Sequence, residues 1–497
     1  MSRKGVVLFT AILLAALTLP QGVRAADDDV QKKLDALTKQ VQDLQQQVAQ
    51  SKDGKKSISD WLTIGGDYRF RVDSLRGKVP DYFDFNTFSP KSGHTVKNDT
   101  LYTNRFGLNV SAKVMKDVTF HSRLLMYKAF GSQSNDAARG TFFADRVGVF
   151  DGTLGHVPSD GQVAVDQAYM TINNIFGQPI WFSIGRRPST GGLPTHLRQN
   201  NEKPGVGGVD GLLVDYAYDG LTLGYAPDIE ALPGAYAKFC YGRGYQRGFD
   251  SSDKAKNMDM FGLIVVPYDT DPLTIYLQAN HAANVVDFPE IPGSTLTSFN
   301  GGDLRPSTNL GEIDQFGVVV MSTLKNIGPG KLNVFASGAI DKTHPNSNAL
   351  VLDTPMGPFP IGLMYSGAKE STTGNAIYLG ARYDLPSKTK IGFEYNHGSK
   401  NWISFVPAGD DIWTSKLGTR GNVYEAYLIQ EIPGLPIASY NAKTFLRIGY
   451  QYYDFDYTGS NSWVGAPVAI SDVASNPQML TPVQTAKDLY ATLEVKF

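Results

Sequence analysis

The last ten residues of the chain alternate between apolar and polar side chains and end on an aromatic ring. Successive side chains of a β-strand point to opposite faces, so this alternation predicts a strand with one apolar and one polar face. The apolar face holds Leu489, Ala491, Leu493, Val495 and Phe497, and the polar face holds Asp488, Tyr490, Thr492, Glu494 and Lys496. Strands of about ten residues that face lipid on one side and water on the other show this pattern in membrane-spanning barrels.

The same alternation recurs along the chain from residue 61 onward. In each of these segments one face suits hydrocarbon and the other does not: 62–71, 105–114, 377–384, 390–396 and 446–452. Period-two patterning over short segments predicts β-strands, so the fold class we predict is all-β.

Short turns and long polar segments alternate between these strands. The short turns are expected near 115–117, 173–178, 218–220, 269–272, 326–330, 385–387 and 432–442. The long segments are expected at about 73–99, 131–162, 188–207, 226–256, 284–311, 342–373, 399–420 and 456–485. Outer-membrane barrels have an even strand number, short turns at one end and long loops at the other. Seven turns and eight loops predict a transmembrane antiparallel β-barrel of about 16 strands, or 18 if Ala235–Arg243 and a further partner also span.

The N-terminus predicts export. A basic pair, Arg3 and Lys4, precedes the apolar run Val6–Leu19, and small residues lead up to Ala26. This order is typical of a secretory signal peptide, which we place at 1–25. No other run in the chain approaches the roughly 18 apolar residues of a spanning helix, so membrane insertion would require a barrel.

A heptad pattern follows the predicted cleavage site. Apolar residues from Val30 to Val48 recur at spacings of four and three, which predicts a coiled-coil helix over 26–50. About three heptads are too short to be stable alone, so we expect this periplasmic segment to join partner helices. A solvated amphipathic linker is the alternative. Residues 51–60 are then a linker, and residues 61–497 form the barrel with its long extracellular loops.

Composition and motifs exclude several functions. The 497 residues carry a formal net charge of -2, which favours no nucleic-acid partner. The single cysteine, Cys240, cannot form an internal disulfide or a Cys-x-x-Cys metal site. The seven histidines are dispersed without metal-ligand spacing, and GxSxG, HExxH and P-loop motifs are missing from the sequence. We therefore expect neither enzyme activity nor a cofactor or metal.

These features together resemble the Gram-negative outer-membrane porin superfamily, in particular members with a periplasmic coiled coil before the barrel. The resemblance rests on the signal peptide, the heptad segment, the strand-loop alternation and the C-terminal Phe497. The segment Phe182–Pro188 is also similar to a Gly-Arg element at a strand end in many porins. The resemblance implies an outer-membrane location, contact with membrane lipid, a homotrimer, and an aqueous channel for small hydrophilic solutes.

The predicted strand register places several charges toward the lumen of such a channel. The candidate pore-lining residues are Arg69, Arg71, Arg105, Arg123, Arg447, Asp67 and Glu394. The arginines come from the first strands and the penultimate strand, which become neighbours when a barrel closes. Because arginine stays charged in a narrow pore, this basic ladder predicts a weak anion preference. Charges that are merely solvated, or paired across strands, are the alternative.

Related porins narrow the barrel with one long external loop, and the third loop, 189–207, is the candidate by position. Its constriction candidates are His196, Arg198, Glu202 and Lys203. The second loop, 131–161, is the rival.

Two other functions remain open at this stage. The barrel could be a sheath that carries a periplasmic or extracellular multihaem cytochrome across the membrane. The haem would then belong to the partner, because this chain has no Cys-x-x-Cys-His motif. A secreted all-β binding protein is the third hypothesis. The porin interpretation ranks first because it accounts for both the strand faces and the loop lengths.

Overall fold

The computed structural model describes residues 58–131, 158, 161–188, 191–249, 253–288, 306–354, 357–406, 411–440 and 442–497. The chain divides into two units, residues 1–61 and 62–497. Of the first unit, only the short helix α1 (Ile58–Trp61) is described. The predicted signal peptide over 1–25, the coiled coil over 26–50 and most of the linker lie outside the described residues and stay predictions.

The second unit consists of strands joined by loops. In chain order the strands are β1 (Leu62–Val79), β2 (Tyr82–Asp84), β3 (Ser89–Lys91), β4 (His94–Met115), β5 (Val118–Ala129), β6 (Ala164–Ile172), β7 (Ile180–Arg186), β8 (Asp219–Tyr225), β9 (Tyr236–Tyr245), β10 (Met258–Asp269), β11 (Thr274–Val286), β12 (Asn309–Ile327), β13 (Gly330–Pro345), β14 (Leu350–Thr354), β15 (Gly357–Gly362), β16 (Tyr365–Ser366), β17 (Thr373–Asp384), β18 (Thr389–Gly398), β19 (Gly421–Ile432), β20 (Lys443–Phe455), β21 (Pro477–Gln478) and β22 (Thr485–Lys496). Single 3-10 turns lie at Ile175–Gly177, Gly205–Gly207, Lys416–Gly418 and Ile470–Asp472.

Sixteen of these strands pair into a closed antiparallel barrel. Their order around the barrel is β1-β22-β20-β19-β18-β17-β13-β12-β11-β10-β9-β8-β7-β6-β5-β4. The barrel closes between β1 and β22, in a register that runs from Asp67 opposite Lys496 to Lys78 opposite Thr485. The remaining short strands form two three-stranded sheets within the long loops. The predicted all-β barrel of 16 strands is confirmed, and the alternative count of 18 is wrong.

The barrel keeps an apolar outer face. On β22, Leu489 and Leu493 are exposed outward, whereas Asp488 and Tyr490 are buried inside, as the alternation predicts. Large apolar side chains exposed around the outside include Ile64, Phe120, Ile184, Phe239, Leu263, Phe316, Ile340, Phe393, Leu428 and Ile448. This surface would be unfavourable in water and is suited to hydrocarbon, as in a membrane-spanning barrel.

One segment that the sequence predicts to be a spanning strand is not one, and a different segment spans the barrel instead. The apolar run at 208–217 reads as a strand that ends in a turn at 218–220, but the structure makes it part of a loop inside the barrel. The segment Ala235–Arg243, expected inside an external loop, instead forms the spanning strand β9. The predicted total of sixteen strands is nevertheless correct, because the loss of the strand at 208–217 is offset by the additional strand β9.

The long loops lie at one end of the barrel and the short turns at the other. Loop three, residues 187–218 between β7 and β8, and loop seven, residues 399–420 between β18 and β19, are used below. Within the part of the chain that the structure describes, no helix is both long enough and apolar enough to cross a membrane.

Candidate channel and its loop plug

Loop three crosses the interior of the barrel. It leaves β7, and its backbone carbonyl groups accept hydrogen bonds from side chains on the opposite wall. Arg382 Nη1 donates to Leu197 O at 2.6 Å, and Arg447 Nη1 donates to Arg198 O at 2.9 Å. Nearer the turn end, Lys496 Nζ donates to a further carbonyl of this loop. Loop three therefore lies across the lumen, and its role as the constriction stays a prediction.

The second half of loop three pairs with loop seven inside the barrel. Val214 and Phe405 form a parallel bridge, with Asp215 N donating to Phe405 O at 2.9 Å and Phe405 N donating to Leu213 O at 2.9 Å. Both loops carry apolar residues there, since Leu213, Phe405 and Trp402 are fully buried. We call residues 191–218 and the described residues of loop seven the loop plug.

A glycine on the barrel wall lets the plug approach closely. A Cβ atom on Gly317 of β12 would lie 2.9 Å from the side chain of Leu213 and 2.5 Å from Asp210 Oδ2. A larger residue would therefore push loop three away from the wall. Two side-chain amides of the same wall bind the plug backbone, since Asp210 N donates to Gln278 and Gln315 donates to Ile403 O.

Buried ion pairs fasten the plug to β18 and β19. Arg198 of loop three lies 2.6 Å from Asp411 of loop seven and 3.1 Å from Glu425 of β19. Lys416 of loop seven contacts Glu394 and lies 2.6 Å from Glu425. All five side chains are almost fully buried. Removing one member would leave an uncompensated buried charge, so the network fixes the position of both loops.

Electrostatics within loop three follow from this burial. Burial alone would lower the pKa of Arg198, but Asp411 and Glu425 raise it well above the ordinary value. Burial, with the charges of Arg382 and Lys203 acting in the same direction, lowers the pKa of His196 to about 3. His196 is therefore neutral near neutral pH, whereas Arg198 is charged.

A polar cavity of about 490 Å³ remains between the plug and the wall formed by β1, β4, β5 and β6. It is lined by side chains of both signs: Asp67, Asp166, Glu202, Asp215, Arg105, Arg123, Lys443 and Lys496. Four of these side chains are carboxylates and four are cations, so their formal charges cancel.

The charges on the wall of this cavity are paired. Arg123 lies 2.7 Å from Asp67 and 3.4 Å from Asp166, and Arg105 lies 3.5 Å from Asp67. Arg123 reaches Asp67 by crossing Gly107, where a Cβ atom would lie 2.3 Å from its guanidinium. Asp67 and Gly107 are register partners on β1 and β4, so the missing side chain opens the path between the two charges.

The other candidate pore-lining residues also face inward, but they are buried. Arg71 lies 2.6 Å from Asp73 and 2.9 Å from Asp488. Arg447 lies 3.1 Å from Glu494, and Arg69 is only 1% exposed, with its guanidinium 5.2 Å from the ring of Tyr127. The arginines of the predicted basic ladder thus lie on the wall where the sequence pattern placed them. The alternative left open by the sequence, that such charges are paired across strands, applies to Arg71 and Arg447. Their role in selectivity stays a prediction.

The remaining loop candidates occupy different settings. Lys203 bonds to Asp269 and Thr274 at the turn end, and Glu202 is largely exposed in the cavity, 3.4 Å from Lys443. The rival second loop lies mostly outside the described residues. Within the described ranges, no group of three or more His, Cys, Asp or Glu residues is arranged to hold a metal ion.

Loop seven was missed by the sequence-based analysis. Lys416 and Asp411 occur in a segment that reads as an ordinary external loop. A signal was available, since Trp402, Ile403, Phe405, Ile412 and Trp413 give this loop an unusual apolar content. External loops are normally polar, so such content indicates burial.

Residues 95–497 match the family described as “Protein of unknown function (DUF3373)”. The chain belongs to this family. No curated protein sequence matches the chain.

Several solved structures of outer-membrane proteins are similar to the chain at low identity. Pseudomonas putida OprB, in a high-pH structure, is 12% identical with a TM-score of 0.43, covering 88% of this chain and 95% of OprB. An anion-selective porin from Comamonas acidovorans is 11% identical with a TM-score of 0.41, covering 88% and 99%. The trimer form of Vibrio cholerae OmpT is 14% identical with a TM-score of 0.39, covering 88% and 100%. These values are too low to assign a function, and the barrel is established by its own strand pairing.

Proposed function

We propose that the protein is an outer-membrane porin, a narrow aqueous channel for passive diffusion of small hydrophilic solutes or ions. The observation that carries this proposal is the polar cavity of about 490 Å³ between loop three and the wall of β1, β4, β5 and β6. A barrel of sixteen strands is wide enough for a water-filled lumen, and the plug occupies only part of it. The cavity is then the narrow part of the pathway.

The charges of the cavity support weak selectivity. Fixed charges of one sign would concentrate ions of the opposite sign, whereas the equal numbers in this lining largely cancel at a distance. A neutral polar lining suits neutral metabolites as well as small ions. We also propose a weak anion preference, supported by two other buried cations, Arg187 and Lys238, rather than by the paired arginines of the predicted ladder.

The proposed orientation follows from the two ends of the barrel. The short turns would face the periplasm and the long loops the exterior, as is general for such barrels. The predicted coiled coil, which precedes β1 in the sequence, would then lie in the periplasm. Assembly into a homotrimer is part of the proposal and is tested by native mass spectrometry of the detergent-extracted protein.

The interior gives no support to the alternative hypotheses. The described parts of loops three and seven occupy part of the lumen with their own side chains, including the fully buried Trp402 and Leu213. A cytochrome sheath would need that volume for its partner. A secreted binding protein would expose the apolar outer face to water, which is unfavourable over so large an area.

Cysteine modification during conductance recording tests the channel. Asn109 is exposed within the polar cavity, so Asn109→Cys in a Cys240→Ser background places the only thiol in the pathway. A charged methanethiosulfonate reagent should lower the single-channel conductance of this variant in planar bilayers, by roughly half or more, because it narrows the passage.

The matched control places the thiol at an exposed turn away from the cavity. Ser387→Cys, between β17 and β18, should react with the reagent without a change in conductance. Folded protein that inserts without producing any conducting steps would refute the channel. Equal loss of current in both variants would refute the assigned pathway.

A further inference from the structure

A second cavity lies between the inner wall of β6 and β7 and loop three. Its volume is about 380 Å³, and it reaches the turn end of the barrel at Asn173 and Ala226. Polar and aromatic side chains of the wall line it together with Val206 of the loop: Tyr169, Thr171, Trp181, Ser183 and Arg187. Tyr169 lies two residues after Gln167 on the inner face of β6, and Val206 lies two residues after Pro204 in loop three. Because Gln167 and Pro204 line the polar passage, this second cavity adjoins it.

Arg187 is a buried cation that lines this cavity and has no carboxylate partner among the described residues. Its residue is 9% exposed, and Nε donates to Ser183 Oγ at 2.8 Å while Nη1 donates to Thr222 Oγ1. The guanidinium also contacts the side chain of Cys240. Across the described residues, no Asp or Glu forms an ion pair with Arg187, whereas the adjacent Arg186 lies 3.5 Å from Asp219 on the outer face.

A second buried cation stands behind the loop backbone that lines the cavity. Lys238 of β9 is 2% exposed, and its ammonium donates to Val206 O at 2.8 Å and to Gly208 O at 2.5 Å. These are neutral acceptors, and in the described part of the chain Lys238 has no carboxylate partner either. Lys238 and Arg187 are close enough to repel each other.

Two like charges buried together are unfavourable unless an opposite charge accompanies them. Elsewhere in this barrel, carboxylates of the chain supply that charge, as Asp411 does for Arg198. Beside Arg187 the described residues leave an open cavity, and none of their carboxylates pairs with its guanidinium. An anion from solution would complete the same pairing.

We propose that this cavity binds a small anion, a carboxylate or an inorganic oxyanion, through the guanidinium of Arg187 in the positive field of Lys238. The guanidinium has five N–H donors and uses two nitrogens for Ser183 and Thr222, so further donors are available to an oxyanion. The side-chain amide of Asn173 adds a neutral donor along the lining. The inference deepens the proposed channel function, because an anion held beside the passage accounts for an anion preference.

Trp181 provides a reporter for the site. It lines the cavity, whereas Trp402, Trp413 and Trp463 are at most 1% exposed. In detergent-solubilised full-length protein with Trp61→Phe, which removes the exposed indole, iodide should quench fluorescence saturably, with a roughly millimolar dissociation constant. Sodium acetate and sodium phosphate, each at constant ionic strength, should compete with iodide, and the better competitor identifies the preferred class.

Adjacent arginines give the matched pair of variants. Arg187→Gln should weaken the saturable iodide quenching at least about tenfold, because it removes a charge-assisted contact. Arg186→Gln, on the outer face, should leave it unchanged. Heat-modifiable migration on gels verifies that both variants retain the folded barrel.

The possible outcomes separate the site from the channel. Linear, unsaturable quenching that is equal in both variants would overturn the anion site. Saturable binding in a protein that conducts no current would retain the site and refute the proposed channel. If the channel conducts and the site exists, Arg187→Gln should also shift the reversal potential in a KCl gradient toward lower chloride permeability.

Discussion

Buried cations lie on two sides of the loop plug, but only one side supplies carboxylates for them. Toward β18 and β19, Arg198 and Lys416 are enclosed by Asp411, Glu394 and Glu425. Toward β7 and β9, Arg187 and Lys238 contact only hydroxyl, thiol and carbonyl groups among the described residues. We therefore expect the cations paired with carboxylates to hold the plug, and Arg187, which lines a cavity, to be available to an anion.

The largest effect is expected from breaking the paired side. Arg198→Met leaves Asp411 and Glu425 short of one buried partner, so the free energy of unfolding should fall by about 3–5 kcal/mol. Urea unfolding of the barrel in lipid vesicles measures the change. Adding Asp411→Asn should recover part of the loss, since it removes one unpaired charge, and a loss below about 1 kcal/mol would show that the network does not hold the plug.

A smaller effect is expected from acid, because burial and the nearby charges of Arg382 and Lys203 all disfavour protonation of His196. Its pKa in the folded protein is about 3, below the ordinary 6.5, so the folded state disfavours the proton. Stability from this residue is complete above pH 6.5 and is lost as the pH falls toward 3, by about 2 kcal/mol at pH 5. Unfolding midpoints at pH 7.5 and 5 measure it.

The control for this pH response is His196→Gln, which removes the titrating ring. The variant should lose less stability than the unaltered protein between the two pH values. An identical loss in both would assign the response to carboxylates elsewhere in the barrel.

Measurements of ion selectivity test whether pairing between carboxylates and arginines keeps the cavity wall neutral. Asp67→Asn leaves Arg105 and Arg123 without their shared carboxylate, so the wall gains a net positive charge. The chloride-to-potassium permeability ratio, from reversal potentials in a KCl gradient, should rise roughly two- to fivefold. Asp271→Asn, in an exposed turn, should leave the ratio unchanged; a similar rise in both variants would contradict the role of pairing.

The smallest effect on stability is expected on the unpaired side. Arg187→Met is the same substitution as Arg198→Met, but it leaves no carboxylate without a partner. The free energy of unfolding should change by less than about 1 kcal/mol in buffer without binding anions. A loss as large as that of Arg198→Met would erase the difference between the two sides.

Much of the barrel was predictable because the faces of a strand are a local property. The inward and outward positions of β22 follow from alternation alone. The alternation of turns and loops predicts an even number of strands, and the predicted total of sixteen is correct because two errors in strand assignment cancel. The segment 208–217 was wrongly predicted to be a spanning strand, because an apolar run has the same sequence pattern whether it spans the membrane or packs inside the lumen. The entry of loop three into the barrel could be predicted only from its position in the chain, and loop seven, with Lys416, was not predicted to enter the barrel.

The sequence by itself determined a closed barrel, its apolar outside and which charged residues face inward. Only the tertiary structure decided which of those charges are neutralised. Arg198 meets Asp411 across 213 residues of chain, and that contact exists because two loops fold back into the same lumen. Alternation is set by the geometry of each strand, whereas charge pairing depends on contacts between distant segments, which no local pattern encodes.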